Sequence, residues 1–155
     1  FILSVNHGKR PNNASYQYIV VPDVSVTELT SGANNNRNIK ILSNTPDLQV
    51  VNNSKLEICQ CAFYKAGELE ISSGFKIKMD SQGMAMLKMQ GNKIDELTIS
   101  DPSRKLNRIT ITVPGIYNKN GNNFIALPNN NQNNTLFLVD LPQGVFAGKS
   151  VTIKL

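Results

Sequence analysis

The sequence predicts an all-β chain folded as an antiparallel β-sandwich, and three observations carry the prediction. Asn occurs 21 times in 155 residues, alongside 10 Gly and 7 Pro. Its side chain bonds its own backbone and tolerates the left-handed region, so it favours turns over helix interiors. Short apolar runs recur with turn residues roughly every 8 to 12 positions, the rhythm of a sandwich. Several runs also alternate with period two, most cleanly Phe75-Lys76-Ile77-Lys78-Met79, as a strand with one buried face must.

Taken in order, Phe1 to Val5 is a short apolar run that ends at the polar turn His7 to Asn13. Ser15 to Val21 follows and is closed by Pro22, with apolar residues on both faces. A strand buried on both sides belongs inside a stack of sheets. Val24 to Gly32 suits a single turn of helix, with Ser25 as N-cap and Glu28 at the reciprocal position. Strands are then expected at Asn38 to Leu42, Leu48 to Val51, Leu56 to Tyr64, Glu68 to Ile71 and Phe75 to Met79. Met84 to Met89 and Ile94 to Ile99 flank Gln90-Gly91-Asn92-Lys93, which is hairpin chemistry. Arg108 to Val113, Leu136 to Leu141 and Val151 to Leu155 complete the set. The polar stretches Asn118 to Asn123 and Pro128 to Asn134 read as hairpin loops.

A division is expected near residue 48. Residues 1–48 read as the last strands of a larger central sheet system, and 49–155 as a small C-terminal sandwich with solvated outer faces. The chain opens inside an apolar run, without an initiator Met, and is read as a piece of a larger protein.

Composition removes several function classes. The net charge of +5 favours acidic partners. The basic residues are scattered, however, with Lys9-Arg10 and Arg104-Lys105 the only adjacent pairs, and Trp is absent. Without a basic stripe interleaved with aromatics, nucleic-acid binding is not expected. No apolar run approaches a membrane span. Cys59 and Cys61 lie two apart, on one face of a strand, at a spacing awkward for bridging each other. With a single His in the chain, too few soft ligands remain to complete a metal site. The expectation is two buried free thiols, no metal and no cofactor in this portion.

No catalytic constellation is legible either. Acyl transfer needs a nucleophile, a base and an orienting group, and one His without G-x-S-x-G does not supply them. Glu68 and Glu70 alternate with Leu69 and Ile71, so they read as the wet face of an amphipathic strand rather than a glycosidase pair. Binding residues remain conceivable: His7, Lys9 and Arg10 sit in one loop where an anionic sugar could meet them. Tyr16 and Tyr18 read as core rather than as sugar platforms.

Two stretches carry the reading further. Asn6-His7-Gly8-Lys9-Arg10-Pro11-Asn12-Asn13-Ala14-Ser15-Tyr16-Gln17-Tyr18-Ile19-Val20-Val21-Pro22 resembles the H-G-x-x-P-x-x-x-x-Y-x-Y-x-x-x-P signature that closes the central β-domain of polysaccharide lyase family 8. Leu97-Thr98-Ile99-Ser100-Asp101-Pro102-Ser103 resembles the S-D-P-[ST] turn of that family's C-terminal domain, and Gly148 to Leu155 its closing strand. The family includes chondroitin AC, hyaluronate and xanthan lyases, and the chain is most similar to the chondroitin AC type. The resemblance implies an upstream α/α toroid and a central β super-sandwich as intramolecular partners. It further implies β-elimination on uronate-containing polysaccharides such as chondroitin or hyaluronan, and a secreted or periplasmic bacterial protein, expected to be monomeric. The family's catalytic Asn, His, Tyr and Arg lie in the toroid, so none is carried onto this chain, and calcium use by the longer protein is left open. The competing reading is a stand-alone carbohydrate-binding sandwich with no lyase partner.

Overall fold

A computed structural model of the chain describes residues 4, 6, 8–20, 22–32 and 38–155. They fall into two units, Phe1–Arg37 and Asn38–Leu155.

Among the described residues of the first unit the one regular element is α1 (Val26–Gly32). Its start is the reciprocal cap expected from sequence. The Ser25 N–H donates to Glu28 Oε2 at 2.9 Å, and the Glu28 N–H to Ser25 Oγ at 3.2 Å. The Ser25 hydroxyl, which also donates to Glu28 Oε2 at 2.6 Å, and the Ser25 N–H together lower the Glu28 carboxyl pKa. Residues 15–20 form no strand. Tyr16, Tyr18, Ile19 and Val20, expected to be buried, are 55%, 70%, 50% and 74% exposed in this chain by itself. A strand exists only where a neighbour takes its N–H and C=O groups, and this segment is part of neither sheet. The expected strand Phe1 to Val5 and residue Val21 lie outside the described residues.

The second unit is a sandwich of two antiparallel sheets. Its strands are β1 (Ile39–Asn44), β2 (Leu48–Asn53), β3 (Ile58–Phe63), β4 (Gly67–Ser72), β5 (Phe75–Met79) and β6 (Gly83–Gln90), followed by β7 (Lys93–Ser100), β8 (Arg108–Pro114), β9 (Phe124–Asn129), β10 (Asn134–Asp140) and β11 (Val151–Lys154). One sheet runs β1-β2-β3-β6-β7-β11, the other β4-β5-β8-β10-β9. The strand β1 precedes the expected division at residue 48, and it pairs with β2 from Ile39↔Asn53 to Asn44↔Gln49. By compactness, then, the sandwich begins at Asn38.

Alternation sets the two inner faces. Leu87, Leu97 and Ile99 of one sheet and Ile77, Ile111 and Phe137 of the other are wholly buried. Outside, Lys76 and Lys78 of β5 stand opposite Glu70 and Glu68 of β4, and Lys76 Nζ lies 3.2 Å from Glu68 Oε1. Exposed and paired with lysines, these two acids are a solvated face. The β6–β7 hairpin closes Gln90↔Lys93 through Gly91-Asn92, with Gly91 at φ 61°, as the two-residue turn requires.

One strand escaped the sequence reading. Phe124–Asn129 is β9, the outer partner of β10. Its inner face carries Phe124 and Ala126, while Ile125 and Leu127 remain 44% and 47% exposed. With apolar residues on both faces it lacks the alternation that marked its neighbours. Of the two expected hairpin loops, the run after β9 closes the β9–β10 hairpin, whereas Asn118 to Asn123 is a crossing loop, because β10 lies between β8 and β9. Asn120 Oδ1 accepts the Ala126 N–H at 2.8 Å, and Asn129 Oδ1 accepts the Asn131 N–H at 3.1 Å.

Candidate functional site

The three binding residues nominated from sequence fare differently. His7 lies outside the described residues. Lys9 and Arg10 are exposed in a loop whose Gly8 N–H donates to Asn6 Oδ1 at 2.8 Å. Arg10 and Asn13 take left-handed conformations, at φ 58° and 52°, which Asn tolerates better than Arg. Just beyond them the Tyr16 and Tyr18 rings stack, centroids 6.1 Å apart and planes inclined by 16°. The segment thus presents two cations, two stacked phenol rings and two aliphatic side chains on a stretch of backbone that belongs to neither sheet.

The most heavily bonded polar group of the sandwich is Asp101, 2% exposed at the end of β7. Its Oδ1 accepts the Ser103 N–H at 2.9 Å, and its Oδ2 accepts the Lys105 and Leu106 N–H groups at 2.8 and 2.9 Å. Burial, the largest single influence, acts to raise its pKa. The hydrogen bonds from the Ser103 hydroxyl and the three backbone N–H groups outweigh it, so the carboxyl stays below its ordinary value. An Asp followed by Pro-Ser is turn chemistry in sequence, but nothing in the sequence shows that one carboxylate would organise six residues. With its oxygens aimed at backbone donors, Asp101 is a structural hub and not a free base.

This turn also joins the two later motifs. Strand β7 pairs with β11 from Ile99↔Val151 to Glu96↔Lys154. Arg104, at φ 61°, lays its stem across Gly148. A Cβ on Gly148 would lie 3.1 Å from Arg104 Cγ, and Gly148 itself sits at φ 89°, so both space and backbone conformation select Gly there.

Cys59 and Cys61 are buried on one face of β3, with Sγ atoms 3.9 Å apart, and are free thiols. The contact with Cys59 and burial both push the Cys61 thiol up, which keeps it protonated and a poor nucleophile. Among the described residues no group of three or more His, Cys, Asp or Glu side chains is placed to hold a metal ion.

The comparisons fit this geometry. Residues 40–110 match the model described as polysaccharide lyase family 8, C-terminal beta-sandwich domain. A chondroitinase-AC of Pedobacter heparinus is 30% identical over 155 residues, covering 99% of this chain and 20% of the relative. A solved chondroitinase AC lyase, studied with oligosaccharides, superposes with a TM-score of 0.76 at 29% identity, over 96% of this chain and 20% of that one. A Paenibacillus xanthan lyase shares the fold, with a TM-score of 0.67 at 20% identity, over 86% of this chain and 12% of that one. The chain therefore spans about one fifth of the length of the chondroitinase relative.

Proposed function

We propose that this chain carries the C-terminal β-sandwich domain of polysaccharide lyase family 8 and belongs to a longer enzyme that cleaves uronate-containing glycosaminoglycans, chondroitin first and hyaluronan second. The observation that carries the reading is the 30% identity to a chondroitinase-AC, sustained over 99% of the chain. The reaction is a β-elimination. A base takes the proton at C5 of the uronate, whose carboxylate is neutralised by polar or cationic groups. The C4–O bond then breaks, a C4=C5 double bond forms, and the departing oxygen accepts a proton.

The base and the neutralising groups belong to the upstream toroid, and a central β-domain joins it to this portion. The role of residues 1–155 is structural: they close the central sheet system and support the substrate cleft from behind. Tyr16, Tyr18, Ile19 and Val20, exposed in the chain alone, are the surface through which they do so. This portion supplies no catalytic residue and no cofactor ligand. The longer protein acts outside the cytoplasm, secreted or periplasmic, as a monomer on an acidic polymer.

Ultraviolet absorbance of unsaturated uronate ends tests the reading. The longer protein should release them from chondroitin, whereas residues 1–155 alone should not. Turnover by the short chain would defeat the structural role, and a longer protein inert on chondroitin and hyaluronan would defeat the lyase assignment.

A further inference from the structure

We propose that the surface formed by Phe146, Lys149, Asn123, Ser150 and Thr152 binds one anionic sugar unit of an acidic polysaccharide, away from any catalytic centre. The inference rests on the lyase reading for its choice of polymer, and on the sandwich alone for its chemistry.

The 3-10 turn Gly144–Phe146 leads from β10 towards β11. Backbone bonds fix it, from the Ala147 N–H to Gly144 O at 3.1 Å and from the Lys149 N–H to Phe146 O at 3.0 Å. Gln143 Nε2 ties its start to the sandwich, donating to Leu141 O at 2.9 Å and Leu106 O at 3.2 Å. On this anchored turn Phe146 is 61% exposed. An aromatic ring left in water on a rigid turn adds little to folding, since its apolar area is not removed from solvent. Lys149 Nζ stands 5.7 Å from the centre of that ring. Among the described residues the ion pairs are Lys65–Asp47, Lys76–Glu68 and Arg108–Asp140, so Lys149 has no carboxylate partner.

Beside the ring and the ammonium lies a depression of about 350 Å³, bounded also by Asn123, Pro142, Ser150 and Thr152, which is within the size range of small-ligand sites. The pieces suit one ligand class. An aromatic face packs against the C–H face of a pyranose, an ammonium pairs with a carboxylate or sulfate ester, and the Asn123 amide with the Ser150 hydroxyl meets ring hydroxyls, beside a Thr152 hydroxyl that is already bonded to Thr98 Oγ1 at 3.0 Å. A site for a neutral sugar would not need the cation, and the net charge of +5 draws the polyanion in. The depression lies beside β11, at the sheet edge opposite β1. Five strand spacings of about 4.8 Å separate those two edges, about 24 Å in all. The strand by which the chain enters the sandwich therefore leaves this surface open.

The test is a nuclear magnetic resonance titration of the 155-residue chain with unsulfated chondroitin hexasaccharide, its sulfated form, and neutral maltohexaose. Either anionic hexasaccharide should shift amides of residues 145–152 and Asn123, while maltohexaose should not. Response to both assigns the carboxylate as the recognised anion, and response to the sulfated form alone assigns the sulfate ester. Lys149→Ala should weaken binding about fivefold, the upper range for an exposed charge pair, and Phe146→Ala by about the same factor, as for loss of an aromatic contact, with unchanged melting temperatures. Lys149→Arg should restore most of the loss, and Lys76→Ala with Lys78→Ala, on the outer face of β5 in the other sheet, should change nothing. No shifts at 145–152, shifts confined to residues 8–20, or equal binding of maltohexaose would overturn the site. A longer protein that cleaves chondroitin while this surface stays silent sinks the site and spares the lyase reading. Binding here by a longer protein that cleaves nothing does the reverse.

Discussion

Residues 15–20 and strand β5 (Phe75–Met79) are both rich in apolar side chains, yet they end up in opposite environments. In β5, Phe75, Ile77 and Met79 are buried and the lysines between them are exposed. In the earlier segment Tyr18 and Val20 are 70% and 74% exposed, and no strand forms. Composition does not separate the two, because apolar area stabilises a chain only when something covers it. Strand β5 has β4 and β8 as neighbours and the other sheet opposite, whereas 15–20 belongs to neither sheet. The difference teaches that an apolar strand pattern states a requirement for a neighbour, and the neighbour need not lie in the same 155 residues.

Three experiments break or sharpen this contrast. The largest effect is expected in the sandwich core, where Phe137 is wholly buried and lies about 6 Å, centre to centre, from the rings of Tyr117 and Phe124. Phe137→Ala should cost about 3–5 kcal/mol in chemical denaturation of the chain and of the longer protein alike. Tyr18→Ala should behave as two different substitutions. In the chain alone it should stay within about 0.5 kcal/mol, as for an exposed site, whereas in the longer protein it should approach about 3–5 kcal/mol. In the longer protein its effect on activity should arise from lost folded enzyme, with KM for the polymer little changed. A sharp rise in KM with an unaltered melt would make the tyrosine a sugar platform.

Asp101 gives a smaller effect than Phe137, or than Tyr18 in the longer protein, and it is diagnostic through pH. Its pKa is lowered in the folded state, so its contribution is present above the ordinary carboxylate pKa. That contribution is lost as pH falls through the folded value. Asp101→Asn should cost about 1–3 kcal/mol at neutral pH, because one amide oxygen cannot serve three backbone donors. It should also flatten the acid limb of stability against pH. Melts between neutral and acidic pH on both proteins decide it, and an unchanged acid limb would show that the hub contributes nothing as a carboxylate.

Much of the sandwich was legible because strand signals are local. The alternation of Ile109, Ile111 and Val113 placed β8, the Gly91-Asn92 turn placed a hairpin, and Ser25 with Glu28 placed the start of α1. Strand β9 was not legible, since Phe124-Ile125-Ala126-Leu127 has no polar face to set the period. For the proposed sugar surface the sequence offered Lys149, Ser150 and Thr152 only as parts of a resembled closing strand. That Phe146 stays in water, and that Lys149 finds the ring and no acid, follows from a turn anchored by Gln143 to the Leu106 and Leu141 carbonyls.

By itself, then, the sequence determined the fold class, most strands with their inward faces, and a motif order resembling one lyase family. Period two, turn chemistry and capping each depend on residues a few positions apart. Only the tertiary structure decided that β3 pairs with β6, β5 with β8 and β7 with β11, and that Arg104 closes over Gly148. Those are choices between distant segments with similar apolar faces. They are made by which packing buries the most area while leaving no backbone group unpaired, a property of the whole sandwich and not of any stretch within it.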